Sequence, residues 1–490
     1  MMVCAISQPW GSLSKMLDED IVDALRGIAG ADAVVARPSE LRAYECDGYT
    51  LEKSAPEVVV LPRSTEQVAR ILRLLQREHV AFVPRGAGTG LSGGCLPLDA
   101  PVMIGTSRMN RICEVDLVNR RAVVEAGVVN LWVTNAVKQE GLCYAPDPSS
   151  QMACTIGGNV AENSGGPHTL KYGVTTNHVL GVELVLANGD VVQLGGAVED
   201  IPGYDLTGLV VGAEGTFGIV TKVTLRLIRQ PEAWKTLLGI FESVDDATAT
   251  VSGIIGAGIV PAALEMMDRL IVGAVEAAFH FGFPTDAGAV LIVELDGLAA
   301  GLDQQVQQVA AICRAHHARA VRIAADEVER AALWKSRKRA FGAVGRLAPS
   351  YCTQDGVVPR TKVPDILHRI TAIGQRHRLR IGNVFHAGDG NIHPILLFDE
   401  RDRDEVRRVL TAGREILEAC VELGGSVTGE HGIGVEKIAQ MPLLFSPQDL
   451  LVMSQLRHVF DPERRCNPGK IFPTPGSCVE TTAPHRQAAM

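Results

Sequence analysis

The pattern of apolar and polar positions first becomes regular near residue 60. The apolar run 58–61 predicts a short strand. Ser64 and Gln67 then form the Ser-x-x-Gln capping pattern of a helix start. The helix is predicted to run to about His79, because apolar residues follow at helical spacing, at Val68, Ile71, Leu72 and Leu75.

The rest of the chain divides into two patterned regions. A second predicted strand, 81–83, leads into the glycine-rich segment 84–94, so the unit is strand–helix–strand. Short strands and turns continue to about residue 226, and Asn188-Gly189 between two apolar runs is a strong hairpin signal. From 235 to about 440, helical and strand patterns alternate, which predicts an α+β second domain.

Composition and charge narrow the class of protein. The chain has 490 residues, 46% of them hydrophobic, and a net charge of -9. This charge, with only 4 Trp, 6 Tyr and 12 Phe, argues against a nucleic-acid surface. No apolar run approaches the ~18 residues of a membrane span. Residues 1–5 lack the pattern of a signal peptide, so we expect a cytoplasmic protein, which could still associate with a membrane through partner subunits.

The 11 cysteines are scattered, and no two of them form a C-x-x-C pair. In a chain expected to be cytoplasmic, they are predicted to be free thiols. An iron–sulfur cluster requires closely spaced thiolates, so this chain is not expected to carry one.

The first glycine-rich segment matches a dinucleotide fingerprint in letters only. Gly88-x-Gly90-x-x-Gly93 would have to open a helix to bind a pyrophosphate at the helix N-terminus. Pro97 and Pro101 follow too closely for such a helix, which argues against a Rossmann site. The loop is then either a backbone nest for a phosphate or a plain glycine-rich turn.

Two more segments of the same kind favour the phosphate-binding loop over the plain turn. One is 144–166, which contains Thr155-Ile156-Gly157-Gly158-Asn159, and the other is 211–220, which leads into a strand. Three such loops in one region predict a long, extended ligand, with small residues where the backbone comes close to it.

This set of segments resembles the FAD-binding domain of the vanillyl-alcohol oxidase and p-cresol methylhydroxylase superfamily. Within it, residues 40–475 are most similar to FAD-linked oxidases of the glycolate oxidase type. The resemblance implies an α+β fold, with a two-part FAD-binding domain and an α+β substrate (cap) domain built on an antiparallel sheet. The expected division is an N-terminal helical segment at 1–55, the FAD domain at 56–230, the cap domain with the metal site at 231–440, a C-terminal helical segment returning to the FAD domain at 441–475, and a flexible tail at 476–490.

The resemblance also implies which residues bind FAD. The first loop would hold the pyrophosphate, and the second and third would line the flavin ring and ribose. Some superfamily members tether FAD through a histidine in the first loop, but 84–94 contains none, so we expect non-covalent FAD. The implied FAD-binding residues are Arg85, Gly86, Gly88, Thr89, Gly90, Leu91, Pro146, Asp147, Ile156, Gly157, Asn159, Gly166, Glu214, Gly215, Ile219 and Asn467.

A second constellation lies near residues 384–394, which are predicted to form a strand, a tight turn and a strand. This hairpin could bring His386 and His393 together, a common start to a transition-metal site. A hairpin with two unrelated histidines would show the same pattern. Farther along, Glu430 and His431 stand side by side between glycines, either as functional groups with different roles or as an incidental pair in a polar loop.

Both segments resemble segments of the D-2-hydroxy-acid dehydrogenase branch of the family. The resemblance implies that His386, His393 and Glu430 bind a divalent metal (zinc, iron or manganese) and that His431 is the catalytic base. Segment 333–337 resembles a third family motif, which implies that Arg337 binds the substrate carboxylate. Without that resemblance, Arg337 would be read as a helix-surface residue.

The implied reaction is FAD-dependent oxidation of a small D-2-hydroxy acid, with glycolate as the expected substrate. D-Lactate or another D-2-hydroxy acid is the alternative, and a non-redox transferase of the alkyl-glycerone-phosphate synthase type is a remoter one. Ile395 stands where the 2-hydroxyglutarate branch has asparagine, which weakens the case for a second substrate carboxylate. The resemblance implies a second flavin subunit and an iron–sulfur subunit as electron acceptors.

Overall fold

The structure is a computed structural model that describes residues 17–198 and 202–473. The predicted flexible tail, 476–490, and the start of the N-terminal segment lie outside the described residues. Within them, the fold is α+β, as predicted: helices pack on one mixed sheet and two larger antiparallel sheets.

The first sheet has four strands and is mostly parallel. Its order is Val34–Val35, Val58–Val60, Val102–Gly105 and Phe82–Arg85, with the first pair antiparallel and the other two parallel. The predicted strands at 58–61 and 81–83 are therefore confirmed, although their ends differ: the observed strands are Val58–Val60 and Phe82–Arg85. Fully buried valines in this sheet pack against the helices on its face, which explains the apolar runs.

The predicted helix is present as Thr65–Arg77, and Ser64 caps it by accepting a hydrogen bond from the Gln67 amide. The capping box is incomplete, because the Gln67 side chain accepts from the amide of Arg63 and not from that of Ser64. Helix Glu19–Ala29 packs against this helix.

The second sheet has five antiparallel strands: Ile112–Asp116, Arg121–Glu125, Ile219–Arg226, Val179–Val185 and Val191–Gly195, in that order. The hairpin predicted at Asn188-Gly189 is confirmed, since Val185 pairs with Val191. Gly189 has a φ of +81°, a conformation that few other residues adopt easily. A small pair, Leu142–Cys143 with Ile228–Arg229, lies at the end of this region.

The third sheet is the framework of the second region and is antiparallel throughout. Gly356–Val357 pairs separately with one of its strands, Asn391–Phe398. The order of the others is Ala320–Ile323, Ala233–Phe241, Ala289–Gly297, Ala263–Asp268, Arg380–His386, Asn391–Phe398 and Ser350–Thr353.

Helices flank these sheets, and the glycine-rich segment after Phe82–Arg85 does not open one of them, as its prolines predicted. No helix among residues 17–198 and 202–473 is long and apolar enough to cross a membrane. The α-helices not named above are Pro38–Leu41, Asn130–Val137, Ile156–Glu162, Thr169–Tyr172, Leu206–Val210, Val244–Gly256, Arg269–Phe279, Leu302–Ala315, Glu327–Lys338, Ala340–Val344, Val363–His377, Arg403–Glu422, Met441–Leu444 and Pro447–Phe460.

Candidate active site

One continuous cavity contacts all three glycine-rich segments and both histidine segments. Its walls come from the first two sheets at one end and from the large antiparallel sheet at the other. A cavity with this reach fits an extended ligand whose reactive end meets the histidines. The predicted site residues that line it are Arg85, Gly86, Gly88, Thr89, Gly90, Leu91, Gly157, Asn159, Glu214, Gly215, Ile219, Asn467, Arg337, His386, His393, Glu430 and His431.

Four residues predicted to bind FAD do not line the cavity: Pro146, Asp147, Ile156 and Gly166. Ile156 is fully buried in the core of the second sheet. The Asp147 carboxylate lies 2.9 Å from Nδ1 of His168 and so is directed away from the cavity. For these four, the glycine-rich pattern located the segment but not the side that each residue faces.

The glycines of the first and third loops are required by close packing. A Cβ on Gly86 would lie 2.4 Å from the Thr155 hydroxyl of the second loop. Gly215 has a φ of +69°, and a Cβ there would lie 2.3 Å from a Pro84 ring carbon. The loops therefore pack directly against one another, which lets their backbone border the cavity, as binding of a long cofactor requires.

The hairpin brings His386 and His393 together. Val384 pairs with His393 and His386 with Asn391, so both imidazoles project from the same face of neighbouring strands. Their ring centroids are 5.1 Å apart. Oε1 of Glu430 lies 3.3 Å from Nε2 of each histidine.

Two imidazoles and a carboxylate that converge on one point form a donor set suited to zinc or another first-row divalent metal. One ligand atom from each of His386, His393 and Glu430 lies within 4.8 Å of the others. Burial raises the pKa of Glu430, but hydrogen bonds from the two histidines lower it by more. The pKa of this carboxyl is therefore well below its ordinary value. The carboxylate is therefore charged, as a metal ligand must be.

A second group that could hold a metal shares His393 and adds Asp355 and His431. Asp355 is less suited to this role, because its oxygens are already used. Oδ1 accepts from the Asn391 amide at 2.7 Å. Oδ2 accepts from the Thr428 hydroxyl and from the backbone amides of 429, 430 and 431.

These contacts give Asp355 a structural role that the sequence analysis missed. A single carboxylate gathers three consecutive backbone amides and so fixes the loop that carries Glu430 and His431. Asp355 is fully buried. The sequence did contain a signal for this role, because Asp355 is an acidic residue in the segment 351–356, and an acidic residue buried beside a strand requires hydrogen-bond partners.

The ring of His431 lies beside the group formed by His386, His393 and Glu430 and is not one of its three members. Its ring stacks on that of His393, with centroids 5.1 Å apart and an angle of 4° between the planes. Burial lowers the pKa of His431 to about 4, so the imidazole is neutral at neutral pH. A neutral imidazole can accept a proton.

Arg337 occupies the last turn of helix Glu327–Lys338 and is only 1% exposed, which excludes the surface-residue interpretation. Its Nε lies 2.5 Å from Oε2 of Glu265. The same glutamate, through Oε1, lies 2.6 Å from Nδ1 of His386. Glu265 was not among the residues predicted from the sequence, although a lone acid in the apolar run 262–267 is a signal of a buried functional group.

Glu214 and Asn467 connect the FAD-side loops to the histidine loop. The Glu214 carboxylate accepts from the amides of Ile433 and Gly434, both at 2.7 Å. The Asn467 side chain donates to the backbone carbonyls of Gly94 and Glu214. Part of what these residues do is therefore to hold the walls of the cavity together.

Ile395, the position of the asparagine in the 2-hydroxyglutarate branch, is fully buried in an apolar cluster and does not line the cavity. Among the described residues, the only Arg or Lys side chains that line the cavity are Arg85 and Arg337. Arg85 donates to the Cys46 carbonyl and the Cys95 thiol.

Comparisons with known proteins agree with this arrangement. Residues 56–195 match the FAD binding domain family, and residues 230–471 match the family of FAD linked oxidases, C-terminal domain. The chain is 44% identical to glycolate oxidase subunit GlcD of Escherichia coli K12, over 97% of this chain and 95% of that protein. It is 40% identical to the subunit of that name from Bacillus subtilis, over 93% of this chain and 97% of that protein. D-lactate dehydrogenase of Anaerostipes hadrus is 32% identical, over 86% and 90%.

Solved structures share the fold at lower identity. p-Cresol methylhydroxylase with substrate bound superposes with a TM-score of 0.76 at 17% identity, over 92% of this chain and 96% of that one. 4-Ethylphenol oxidase from Gulosibacter chungangensis also gives 0.76, at 19% identity, over 95% and 99%. These structures show the fold alone, whereas the relatives at 44% and 40% identity and the two matched domain families show that the chain belongs to the family of FAD-linked oxidases.

Proposed function

We propose that this chain is an FAD-dependent dehydrogenase that oxidises a small D-2-hydroxy acid, with glycolate as the expected substrate and glyoxylate as its product. The observation that carries the proposal is that the three possible metal ligands, His431 and Arg337 line the same cavity as the three glycine-rich loops. The relatives named as glycolate oxidase subunits and as a D-lactate dehydrogenase support the substrate class.

In this proposal, each residue has one task. Arg337 binds the substrate carboxylate, for which a guanidinium is well suited. His431 accepts the proton of the substrate hydroxyl, because its imidazole is neutral. Together they hold the substrate carbon in one orientation in a site protected from water.

FAD and a divalent metal (zinc, iron or manganese) supply the remaining chemistry. FAD bound along the three glycine-rich loops would supply the hydride acceptor. His386, His393 and Glu430 would hold the metal, which would supply a Lewis acid for the substrate hydroxyl. FAD is proposed to bind non-covalently, since the first loop contains no histidine; flavin that stays with acid-precipitated protein would contradict this.

A monocarboxylate fits the charges of the cavity best. Both terminal nitrogens of Arg85 donate to the protein, whereas Arg337 contacts Glu265 through Nε, so the terminal nitrogens of Arg337 are the ones proposed to bind the substrate. Ile395 offers no polar group to a second carboxylate. D-Lactate shares these properties with glycolate and is the alternative substrate.

Electron transfer to partner subunits completes the proposal. Relatives at 44% and 40% identity are named as subunits. The nine cysteines that the structure describes are free, and no C-x-x-C pair occurs in the sequence. A second flavin subunit and an iron–sulfur subunit are the proposed acceptors; reduction of a quinone by the isolated chain at the full rate would argue against them.

The division of the chain into domains at 231 and 441 stays a prediction.

The test is an anaerobic titration of the purified chain with glycolate, D-lactate, L-lactate and D-2-hydroxyglutarate. Glycolate or D-lactate should bleach the visible flavin band, and prior chelation should abolish the bleaching. A flavin-containing protein that none of the four acids bleaches would contradict the proposed function.

A further inference from the structure

Glu265 lies in the middle of strand Ala263–Asp268, opposite His386 on the neighbouring strand. Its side chain is fully buried, and its two oxygens face different partners. Oε1 is 2.6 Å from Nδ1 of His386, and Oε2 is 2.5 Å from Nε of Arg337. A single carboxylate thus joins a possible metal ligand to the proposed carboxylate-binding residue.

Each contact orients its partner. With Nδ1 of His386 donating to Glu265, the imidazole can release the proton of Nε2, the atom 3.3 Å from Glu430, and offer the lone pair of that nitrogen to a metal. The contact with Nε holds the buried Arg337 in place in the cavity wall. A buried guanidinium without a counter-charge would be strongly unfavourable, so the pair also keeps Arg337 inside the protein.

We propose that Glu265 is a positioning residue that sets metal affinity and substrate-carboxylate affinity together, through His386 and Arg337. The carboxylate arm of this inference rests on the proposed function, whereas the metal arm rests only on the three ligands. The two halves of the site are then not independent.

Glu265→Gln tests this with a change of one atom. A carboxylate accepts from two donors, but an amide has one acceptor and one donor. If its oxygen faces His386, its NH₂ meets Arg337, which is also a donor. If it is turned the other way, its NH₂ favours the His386 tautomer that cannot bind a metal through Nε2. The variant can therefore serve only one of the two partners.

Two binding constants are measured on the FAD-loaded chain, without turnover. One is the Kd for Zn²⁺, by competition with a chromophoric chelator. The other is the Kd for propionate in metal-free protein, by perturbation of the flavin spectrum; propionate has a carboxylate but no hydroxyl. In Glu265→Gln, at least one Kd should rise by roughly 10- to 100-fold, the range found when groups that orient metal ligands are removed.

Asp268→Asn is the matched control. Asp268 lies on the same strand and accepts from the amide and side chain of Asn383, away from the ligands. Both Kd values should stay within about twofold of native in this variant. If Glu265→Gln does not fold, Glu265→Asp replaces it, because that side chain keeps its charge but is too short to reach both partners.

The inference would be overturned if both constants were unchanged in the Glu265 variant, or if the Asp268 control showed equal shifts. A native chain that binds neither probe would also overturn it. If no hydroxy acid reduces the flavin while the Zn²⁺ constant still responds to Glu265, the proposed function fails and the metal arm stands.

Discussion

His431 stacks face to face on His393, with the two ring planes 4° from parallel. The stacking places the proposed base directly beside a possible metal ligand while keeping it out of the three-residue group. It also brings one imidazole close to another, so that a charge on His393 disfavours a charge on His431, in addition to the effect of burial. Burial is the main reason that the pKa of His431 is low, and it outweighs the nearby Asp355 carboxylate, which raises that pKa.

His431→Asn should lower the turnover number by roughly 10²- to 10⁴-fold, the usual contribution of a general base. FAD should stay bound, because the glycine-rich loops do not depend on this side chain. Steady-state kinetics and the visible spectrum measure the two effects. His458→Asn, at an exposed position, is the control. Near-normal turnover in His431→Asn would remove this residue from the mechanism.

Arg337→Lys should raise the KM for glycolate by roughly 10- to 100-fold, because a hydrogen bond to a charged group contributes about 1.5–3 kcal/mol. Lysine keeps the charge but lacks the planar fork that fits a carboxylate. The turnover number should change less than KM. Lys338→Ala, at the exposed neighbouring position, should leave KM unchanged. An unchanged KM in Arg337→Lys would mean that another group binds the carboxylate.

Asp355→Asn should lower the free energy of unfolding by about 2 kcal/mol, since an amide cannot accept all the donors that the carboxylate serves. The loop with Glu430 and His431 should loosen, so bound metal should fall as well. Urea denaturation and metal analysis measure these effects. Asp404→Asn, an exposed carboxylate paired with Arg408, is the control. Full stability together with full metal content would show that the loop does not need Asp355.

His168 should make stability depend on pH. Burial lowers its pKa, but Asp147 and Glu294 raise it more, to about 10, above the ordinary value of 6.5. The folded state therefore binds more protons than the unfolded state between these two values, and its stability should fall as pH rises through this window, by at most about 1.4 kcal/mol per pH unit. The contribution is fully present below pH 6.5.

Urea unfolding of the native chain and of His168→Gln, at several pH values from 6 to 10, tests this dependence. The native chain should be the more stable by the largest margin near pH 6, and the margin should shrink towards pH 10. A margin that does not vary with pH would show that His168 is not charged in the folded protein.

Elements whose signals are local could be predicted from the residues alone. A strand or hairpin depends on the alternation and turn residues of its own few positions, which is why the elements of 58–83, the Asn188-Gly189 turn and the 384–394 hairpin were predicted. The convergence of His386 and His393 belongs with these, because the short turn 387–390 sets the register of the two strands that it joins.

The tertiary structure alone decided which side chains complete the site. Glu265 is 121 residues from His386, and Glu214 is 219 residues from the Ile433 amide that it binds. No periodicity relates positions so far apart, since sheet order and loop packing bring them together. For the same reason, the glycine pattern could not show that Asp147 and Ile156 face away from the cavity. A buried charge is placed by the partners that offset its desolvation, and only the folded chain assembles those partners.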